Sequence, residues 1–131
     1  MNDQSGAEGV SERRLRILES VVPRSSIYYI QNLDWSHLEG HATNRSERHP
    51  GDVDIPVMWA AEAFNDTNGI VIDPDYNSKS GQSIRVVGLS ETTECLITVI
   101  IVREEGRFYG ASAWRSNEFD KWLYRQQRST S

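Results

Sequence analysis

CLITVIIV, residues 95–102, decides the fold of this chain, because eight residues dominated by β-branched and aliphatic side chains are typical of a strand buried on both faces. Residues 103–107 follow as a tight turn, in which Gly106 supplies the positive φ angle that such a turn needs. RFYGASAWR, residues 107–115, predicts the next strand, and SIRVVGL, residues 83–89, predicts the preceding one. We therefore expect residues 95–102 to be the centre of a sheet.

A helix is predicted ahead of these strands. Asp54 suits its N-cap and Pro56 its first turn, where the missing N–H of proline costs nothing. The pattern continues to residue 64. The buried stripe is expected to consist of Met58, Ala61 and Phe64, or of Val57, Ala61 and Phe64.

A closing helix is predicted after the last strand, with Ser116 as its cap. Its buried stripe is expected to consist of Phe119, Trp122 and Leu123. Together with a short strand at residues 69–73, these patterns predict an α+β fold. We expect a mostly antiparallel sheet of four to five strands with helices packed on it.

The N-terminal region is predicted to be an extension of the domain. Residues 1–26 are expected to be flexible, with one possible short helix capped by Ser11. Residues 26–33, SIYYIQNL, predict a first strand, followed by Asp34 as the cap of a helical segment. The single α+β domain is expected to span residues 27–126, and residues 127–131 to be a disordered tail.

The composition indicates a globular protein of one domain. Of the 131 residues, 37% are hydrophobic and 25% are charged, and no apolar run approaches the roughly 20 residues that span a bilayer. Because no apolar leader is visible, we expect a cytoplasmic protein without membrane association. Cys95 is the one cysteine, so no internal disulfide is possible, and we expect it to be a small core residue.

The charge is distributed unevenly along the chain. The net charge of −5 is unusual for a protein that binds nucleic acid. Residues 27–75 hold nine acidic side chains and two arginines, a balance of −7. Residues 76–131 hold eight basic and six acidic side chains, a balance of +2. The predicted strand region therefore permits a local positive face on an acidic molecule.

The three histidines lie in one polar stretch. His37 and His41 are four residues apart, so a helix would place both on one face, a spacing known from metal sites. Gly40 weakens that helix, and no glutamate follows His37 as in zinc proteases. We therefore expect no metal, and interpret these histidines and His49 chiefly as surface or hydrogen-bonded side chains.

Arg85 is the most informative charged residue, because alternation places it beside Val87 on an apolar strand face. There it serves either as the partner of a core carboxylate or as a guanidinium presented in a cleft. On the last strand, alternation places Tyr109 and Arg115 together on one side. Arginine, histidine and tyrosine side chains of this kind suit metal-free RNA cleavage, which needs an acid, a base and cations.

The runs SIRVVGLS, residues 83–90, and CLITVIIVREEGRFYGASAW, residues 95–114, resemble the BrnT-type toxins of bacterial type II toxin–antitoxin systems. The resemblance spans about residues 28–126. The positions that carry it are Asp34-Trp35, His49, Trp59 to Phe64, Asp73, Arg85 with Gly88, Ser112-Ala113 and Tyr124.

This resemblance implies a RelE-like fold and a metal-independent ribonuclease that inhibits translation without a cofactor. It implies RNA as substrate and a cognate antitoxin, a small DNA-binding protein, as partner. Under this hypothesis the catalytic residues are His49, Arg85, Tyr109 and Arg115. The residues expected to bind substrate are His41, Lys79 and Trp114.

Three features differ from the family pattern. Trp114 replaces one of two adjacent arginines, and it either stacks on an RNA base or packs in the core. The junction after His49 is longer and acidic, and the family's basic first helix is lost among acidic residues. A second hypothesis is therefore a non-catalytic protein-interaction module on the same scaffold, and a third is a metal-assisted hydrolase at His37 and His41.

Overall fold

The computed structural model describes residues 11–38 and 55–130 of the chain, and it shows an α+β fold, as predicted. One antiparallel sheet of five strands follows the order β1-β2-β3-β4-β5. The strands are β1 Val22–Pro23, β2 Ile70–Ile72, β3 Ser83–Ser90, β4 Cys95–Glu104 and β5 Arg107–Arg115. The helices are α1 Glu12–Ser20, a 3₁₀ turn at Arg24–Ser26, α2 Val57–Phe64 and α3 Glu118–Thr130.

The predicted strand region forms as expected. β4 pairs with β3 on one side and β5 on the other, although β3 is the middle strand of the five. The β4–β5 turn uses positive φ angles of 51° at Glu105 and 77° at Gly106, which confirms the predicted role of the glycine.

The sheet is covered on both faces by different elements. On one face, which we call the α2 face, α2 packs on side chains of β2, β3, β4 and β5 together with residues from 27–38. On the other, which we call the α3 face, α1 and α3 pack on β2 and β3. Burial on both faces explains the continuous apolar runs of β3 and β4.

α2 buries a different stripe from the predicted one. The buried residues are Ala60, Ala63 and Phe64, whereas the side chain of Met58 is 61% exposed. Close contact with the sheet explains the difference, because a Cβ atom on Gly88 would lie 2.0 Å from the carbonyl oxygen of Ala63. Small residues therefore face β3. The helix begins after Pro56, and the predicted cap at residue 54 lies outside the described residues.

The N-terminal helix is present and packs on the domain. The Ser11 side chain accepts a hydrogen bond from the Arg14 amide at 3.1 Å, as a cap does. Ile17 and Val21 belong to the core on the α3 face, and Val22 pairs with β2. The packed structure therefore includes residues that precede the expected domain start at residue 27.

The predicted first strand at residues 26–33 is absent. Ile27 and Ile30 are buried while Tyr28 and Tyr29 between them are exposed, a spacing of three that suits turns rather than alternation. The amide of Ile27 donates to the carbonyl of Arg24, and the amide of Ile30 donates to that of Ile27. The β-forming side chains misled the prediction, since the turns bury only every third one.

The closing helix confirms the predicted stripe but not the predicted cap. Leu123 is fully buried and Phe119 and Trp122 pack beside it. The cap is Asn117, whose side-chain oxygen accepts from the Asp120 amide at 2.8 Å. α3 continues to Thr130, so most of the expected tail is helical. In the described ranges, no helix is long and apolar enough to cross a membrane.

A β-bulge in β5 changes which side chains share a face. Ile100 pairs with Ser112 and Ile101 pairs with Gly110, so Ala111 has no partner on β4. Tyr109, opposite Val102, therefore lies on the α3 face, whereas Arg115, opposite Ile97, lies on the α2 face. The expectation that these two residues share one side of the strand was wrong.

Candidate functional site

Arg85 is buried between two carboxylates. Its side chain is 3% exposed, its Nε lies 2.7 Å from Asp75 Oδ1, and its Nη1 lies 2.7 Å from Asp120 Oδ2. Both carboxylates are themselves buried, at 7% and 0% exposure. Of the two alternatives that the sequence left open, the structure shows the partner of core carboxylates.

Further polar groups complete this buried cluster. The Tyr76 hydroxyl donates to Asp120 at 2.7 Å and accepts from Arg85 at 2.8 Å. Thr98 donates to the same aspartate at 2.8 Å and also hydrogen-bonds Ser116 at 2.7 Å. The cluster ties the loop after β2, the strands β3 and β4, and the start of α3 together, which is a structural role.

The electrostatics agree with that role. Burial opposes the charged guanidinium, but the hydrogen bond to Asp75 and the negative charges of Asp75 and Asp120 outweigh it and raise the pKa of Arg85. Burial and the hydrogen bond to Asp120 raise the pKa of Tyr76, so its hydroxyl remains a proton donor. One cation and two carboxylates leave no positive charge over for a phosphate.

Trp114 covers the Arg85 cluster. It lies opposite Thr98 on the α3 face, is half-buried, and its ring centre is 5.7 Å from the guanidinium carbon of Arg85. The ring of Tyr76 lies closer, at 4.2 Å. The two aromatic faces therefore enclose the guanidinium, an arrangement that favours a cation in a water-poor site.

Arg115 lies apart from Arg85, on the opposite face of the sheet. It is exposed, its guanidinium carbon is 5.8 Å from the ring centre of Trp59, and its Nη1 lies 2.9 Å from Cys95 Sγ. The structure therefore does not bring together the two arginines that the resemblance implied as catalytic residues.

A different group of side chains meets at the free edge of β5. The backbone at Asp34 runs beside Tyr109 as a parallel bridge, with the Asp34 amide donating to Phe108 and the Gly110 amide donating to Asp34. This places the His37 ring against the Tyr109 ring, with 5.5 Å between ring centres and 66° between planes. Trp35 packs over Gly110, where a Cβ atom would lie 3.0 Å from the indole.

Asp34 holds this edge in place and adds a negative charge. Its Oδ1 accepts from the Ser36 amide at 2.9 Å and from the Ser36 hydroxyl at 2.8 Å, just before the helical residues 36–38. These two hydrogen bonds, with a smaller contribution from the positive charge of Arg107, lower the pKa of Asp34. Four side chains are thus neighbours at this edge, and we call them the β5-edge cluster: Asp34, His37, Arg107 and Tyr109.

A pocket of about 480 Å³ opens beside the β5-edge cluster. Asp34, Arg107 and Tyr109 line it, together with Glu104 and Glu105 of the β4–β5 turn. His37 and Tyr109 are groups that exchange protons in enzymes, and Arg107 is a group that binds phosphate. Tyr109 and Arg107 line the pocket itself, whereas His37 contacts it only through the ring of Tyr109. The negative charges of Glu104 and Glu105 at the rim repel a polyanion.

The remaining predicted residues have simpler outcomes. Lys79 is exposed in the loop between β2 and β3. His41 and His49 lie outside the described residues. Within residues 11–38 and 55–130, no group of three or more His, Cys, Asp or Glu side chains is arranged to hold a metal ion.

Sequence reasoning missed the neighbours of Tyr109. His37 was considered only with His41, and Asp34 and Arg107 were not considered as site residues at all. The cause is the parallel bridge between residue 34 and β5, a tertiary contact that no local pattern predicts.

The chain matches no known protein family, curated protein or solved structure.

Proposed function

We propose that this chain is a metal-independent ribonuclease toxin similar to the BrnT type, and that its chemistry takes place at the β5-edge cluster. The observation that carries the proposal is the contact of the His37 and Tyr109 rings, 5.5 Å between centres, beside Arg107 and a pocket of about 480 Å³. The resemblance of residues 28–126 to that family supplies the substrate class, and a cognate antitoxin is the expected partner.

In the proposed reaction, the 2′-hydroxyl of RNA attacks the adjacent phosphorus. A new P–O2′ bond forms while the P–O5′ bond breaks, which yields a 2′,3′-cyclic phosphate and a free 5′-hydroxyl. His37 takes the proton of the 2′-hydroxyl, Tyr109 gives a proton to the leaving oxygen, and Arg107 stabilises the charge on the phosphorane. No electron donor or acceptor is required.

Strand geometry supports a path for the RNA. Arg107, Tyr109 and Trp114 all lie on the α3 face of β5, since they pair with Glu104, Val102 and Thr98. Trp114 is half-buried, so part of its ring remains accessible for stacking on a base. His41 and His49 stay predictions as further proton-transfer residues.

The test is RNA cleavage by the purified chain in the presence of EDTA, with analysis of the product ends. We expect Tyr109→Phe and His37→Asn to lose about 10²-fold or more in rate, the usual contribution of one acid or base. Arg115→Ala is the matched control for Arg107→Ala, because both arginines are exposed on β5. If Tyr109→Phe, His37→Asn and Arg107→Ala all cleave RNA at the wild-type rate, this assignment of the active site is wrong.

A non-catalytic protein-interaction module is the second candidate function. Two observations favour it: Arg85 is neutralised by two carboxylates, and the pocket beside Tyr109 is lined by Glu104 and Glu105. Co-purification with a small partner protein, without RNA cleavage after the partner is removed, would identify this function instead.

A further inference from the structure

A second groove lies away from the β5-edge cluster. It has a volume of about 680 Å³ and is formed by α2, the loop at residues 65–68, the end of β3 and Tyr124 of α3. None of the residues that line it lines the pocket beside Tyr109.

The groove exposes apolar side chains of two different elements. Met58 of α2 is 61% exposed and Leu89 of β3 is 37% exposed, and both line the groove. A single exposed apolar side chain is ordinary on a protein surface, but two that converge in a concave site are typical of binding surfaces. Methionine adapts to partners of varied shape, which suits such a role.

Two carboxylates in the same groove are held rigidly by neutral donors. Glu62 accepts hydrogen bonds from Ser90 Oγ at 2.7 Å, the Thr92 amide at 3.1 Å and Thr92 Oγ1 at 2.6 Å. The donors at Thr92 and Ser90 lower the pKa of Glu62, so the side chain is an anion at neutral pH.

Asp66 is held in the same way. Its Oδ1 accepts from the Asn68 amide at 2.8 Å, and its Oδ2 accepts from the Leu89 amide at 2.8 Å and the Tyr124 hydroxyl at 2.7 Å. In the described part of the chain, neither Glu62 nor Asp66 forms an ion pair with a basic side chain. Within the described residues, the two carboxylates are therefore oriented by neutral donors alone.

We propose that this groove binds a segment of a partner protein that carries lysine or arginine beside apolar side chains. The apolar side chains would cover Met58 and Leu89, and the basic ones would pair with Glu62, Asp66 and the exposed Glu91 at the rim. Hydrogen bonds already hold the side chains of Glu62 and Asp66 in one conformation. These side chains therefore lose little conformational entropy when a partner binds. Nucleic acid is disfavoured by the same charges.

The test uses a fluorescein-labelled synthetic peptide of leucine and arginine residues arranged as an amphipathic helix, with a scrambled peptide of equal composition as reference. Anisotropy is measured with the full chain near physiological ionic strength. We expect Met58→Ser to weaken binding about tenfold, as loss of a central interface residue does. We expect Glu91→Arg to weaken it about tenfold as well, because the reversed charge repels a basic segment. Glu19→Arg on α1 makes the same charge change at an exposed site outside the groove, and we expect it to leave binding within about twofold.

Three outcomes would overturn the proposal. Equal weakening by Glu91→Arg and Glu19→Arg would show unspecific attraction to an acidic protein, and no preference for the amphipathic over the scrambled peptide would do the same. Concentration-dependent self-association that Met58→Ser abolishes would identify a second copy of the chain as the occupant. The peptide assay and the RNA cleavage assay test different sites, because the two pockets share no lining residue. A negative peptide assay therefore does not contradict the proposed ribonuclease, and a negative cleavage assay does not contradict the groove.

Discussion

Replacement of Arg85 by methionine tests whether this residue is structural. Methionine fills a similar volume but leaves Asp75 and Asp120 buried without a cation. Removal of one partner from a buried ion pair costs about 3–5 kcal/mol of the free energy of unfolding. For a domain of this size, about 4 °C in Tm corresponds to 1 kcal/mol, so we expect Tm to fall by about 12–20 °C.

The assay is thermal and urea unfolding followed by circular dichroism at pH 7. Arg115→Met is the matched control, because that arginine is exposed, and we expect a change within about 0.5 kcal/mol. Arg85→Lys should lie between the two, since lysine keeps the charge but cannot reproduce a fork that reaches Asp75 and Asp120 together.

This rank order can be refuted in two ways. Equal losses for Arg85→Met and Arg115→Met would mean that the buried cluster contributes nothing to stability. An Arg85→Met chain that unfolds like the wild type but no longer cleaves RNA would place this arginine in the reaction, as the resemblance implies.

Three further substitutions test the packing of α2 and a hydrogen bond at the surface. Gly88→Ala places a Cβ atom 2.0 Å from the carbonyl oxygen of Ala63, so we expect urea unfolding to show a loss of at least about 3 kcal/mol. Gly81→Ala, with φ of 80° and no atom within 4 Å, should cost about 1–2 kcal/mol, and equal losses would contradict the packing argument. Burial and the hydrogen bond to Asp73 raise the pKa of Tyr29 from 10.0 to about 12. The neutral Tyr29 hydroxyl stabilises the folded state fully below pH 10, and this contribution is lost as the pH rises to 12. We therefore expect the free energy of unfolding of Tyr29→Phe to decline less steeply over that interval. A slope equal to that of the wild type would contradict this role of Tyr29.

The sequence predicted the parts of the fold that repeat with a regular period. The strands β3 to β5 and the turn at Gly106 follow from alternation, long apolar runs and one glycine. The Phe119, Trp122 and Leu123 stripe of α3 follows from helical spacing. In each case the local pattern and the tertiary packing agree, so a local argument was sufficient.

The errors lie where packing overrides local preference. At residues 26–33, the tyrosines favour a strand, but burial of Ile27 and Ile30 requires turns. On α2, the close approach to Gly88 selects Ala60 and Ala63 for the buried side and leaves Met58 in solvent. Neither effect is visible without knowledge of the opposing element.

The bulge at Ala111 explains why the sequence placed Tyr109 on the same face as Arg115. Gly110, Ala111 and Ser112 are all small, so an extra residue among them leaves no trace in the hydrophobic pattern. Without the bulge, Tyr109 would share a face with Arg115. With it, Tyr109 shares the α3 face with Trp114.

The position of Trp114 on the α3 face explains what this side chain does in the structure. The cation at this place in the sheet is Arg85, which is enclosed by the rings of Tyr76 and Trp114 and neutralised by two aspartates. Trp114 covers the buried cation, and under the proposed function the accessible part of its ring offers a surface on which a base can stack. Positive charge for the proposed reaction must then come from Arg107, at the far end of the same face of β5. Trp114 therefore belongs with the buried Arg85 cluster, whereas the candidate site at Tyr109 lies further along β5.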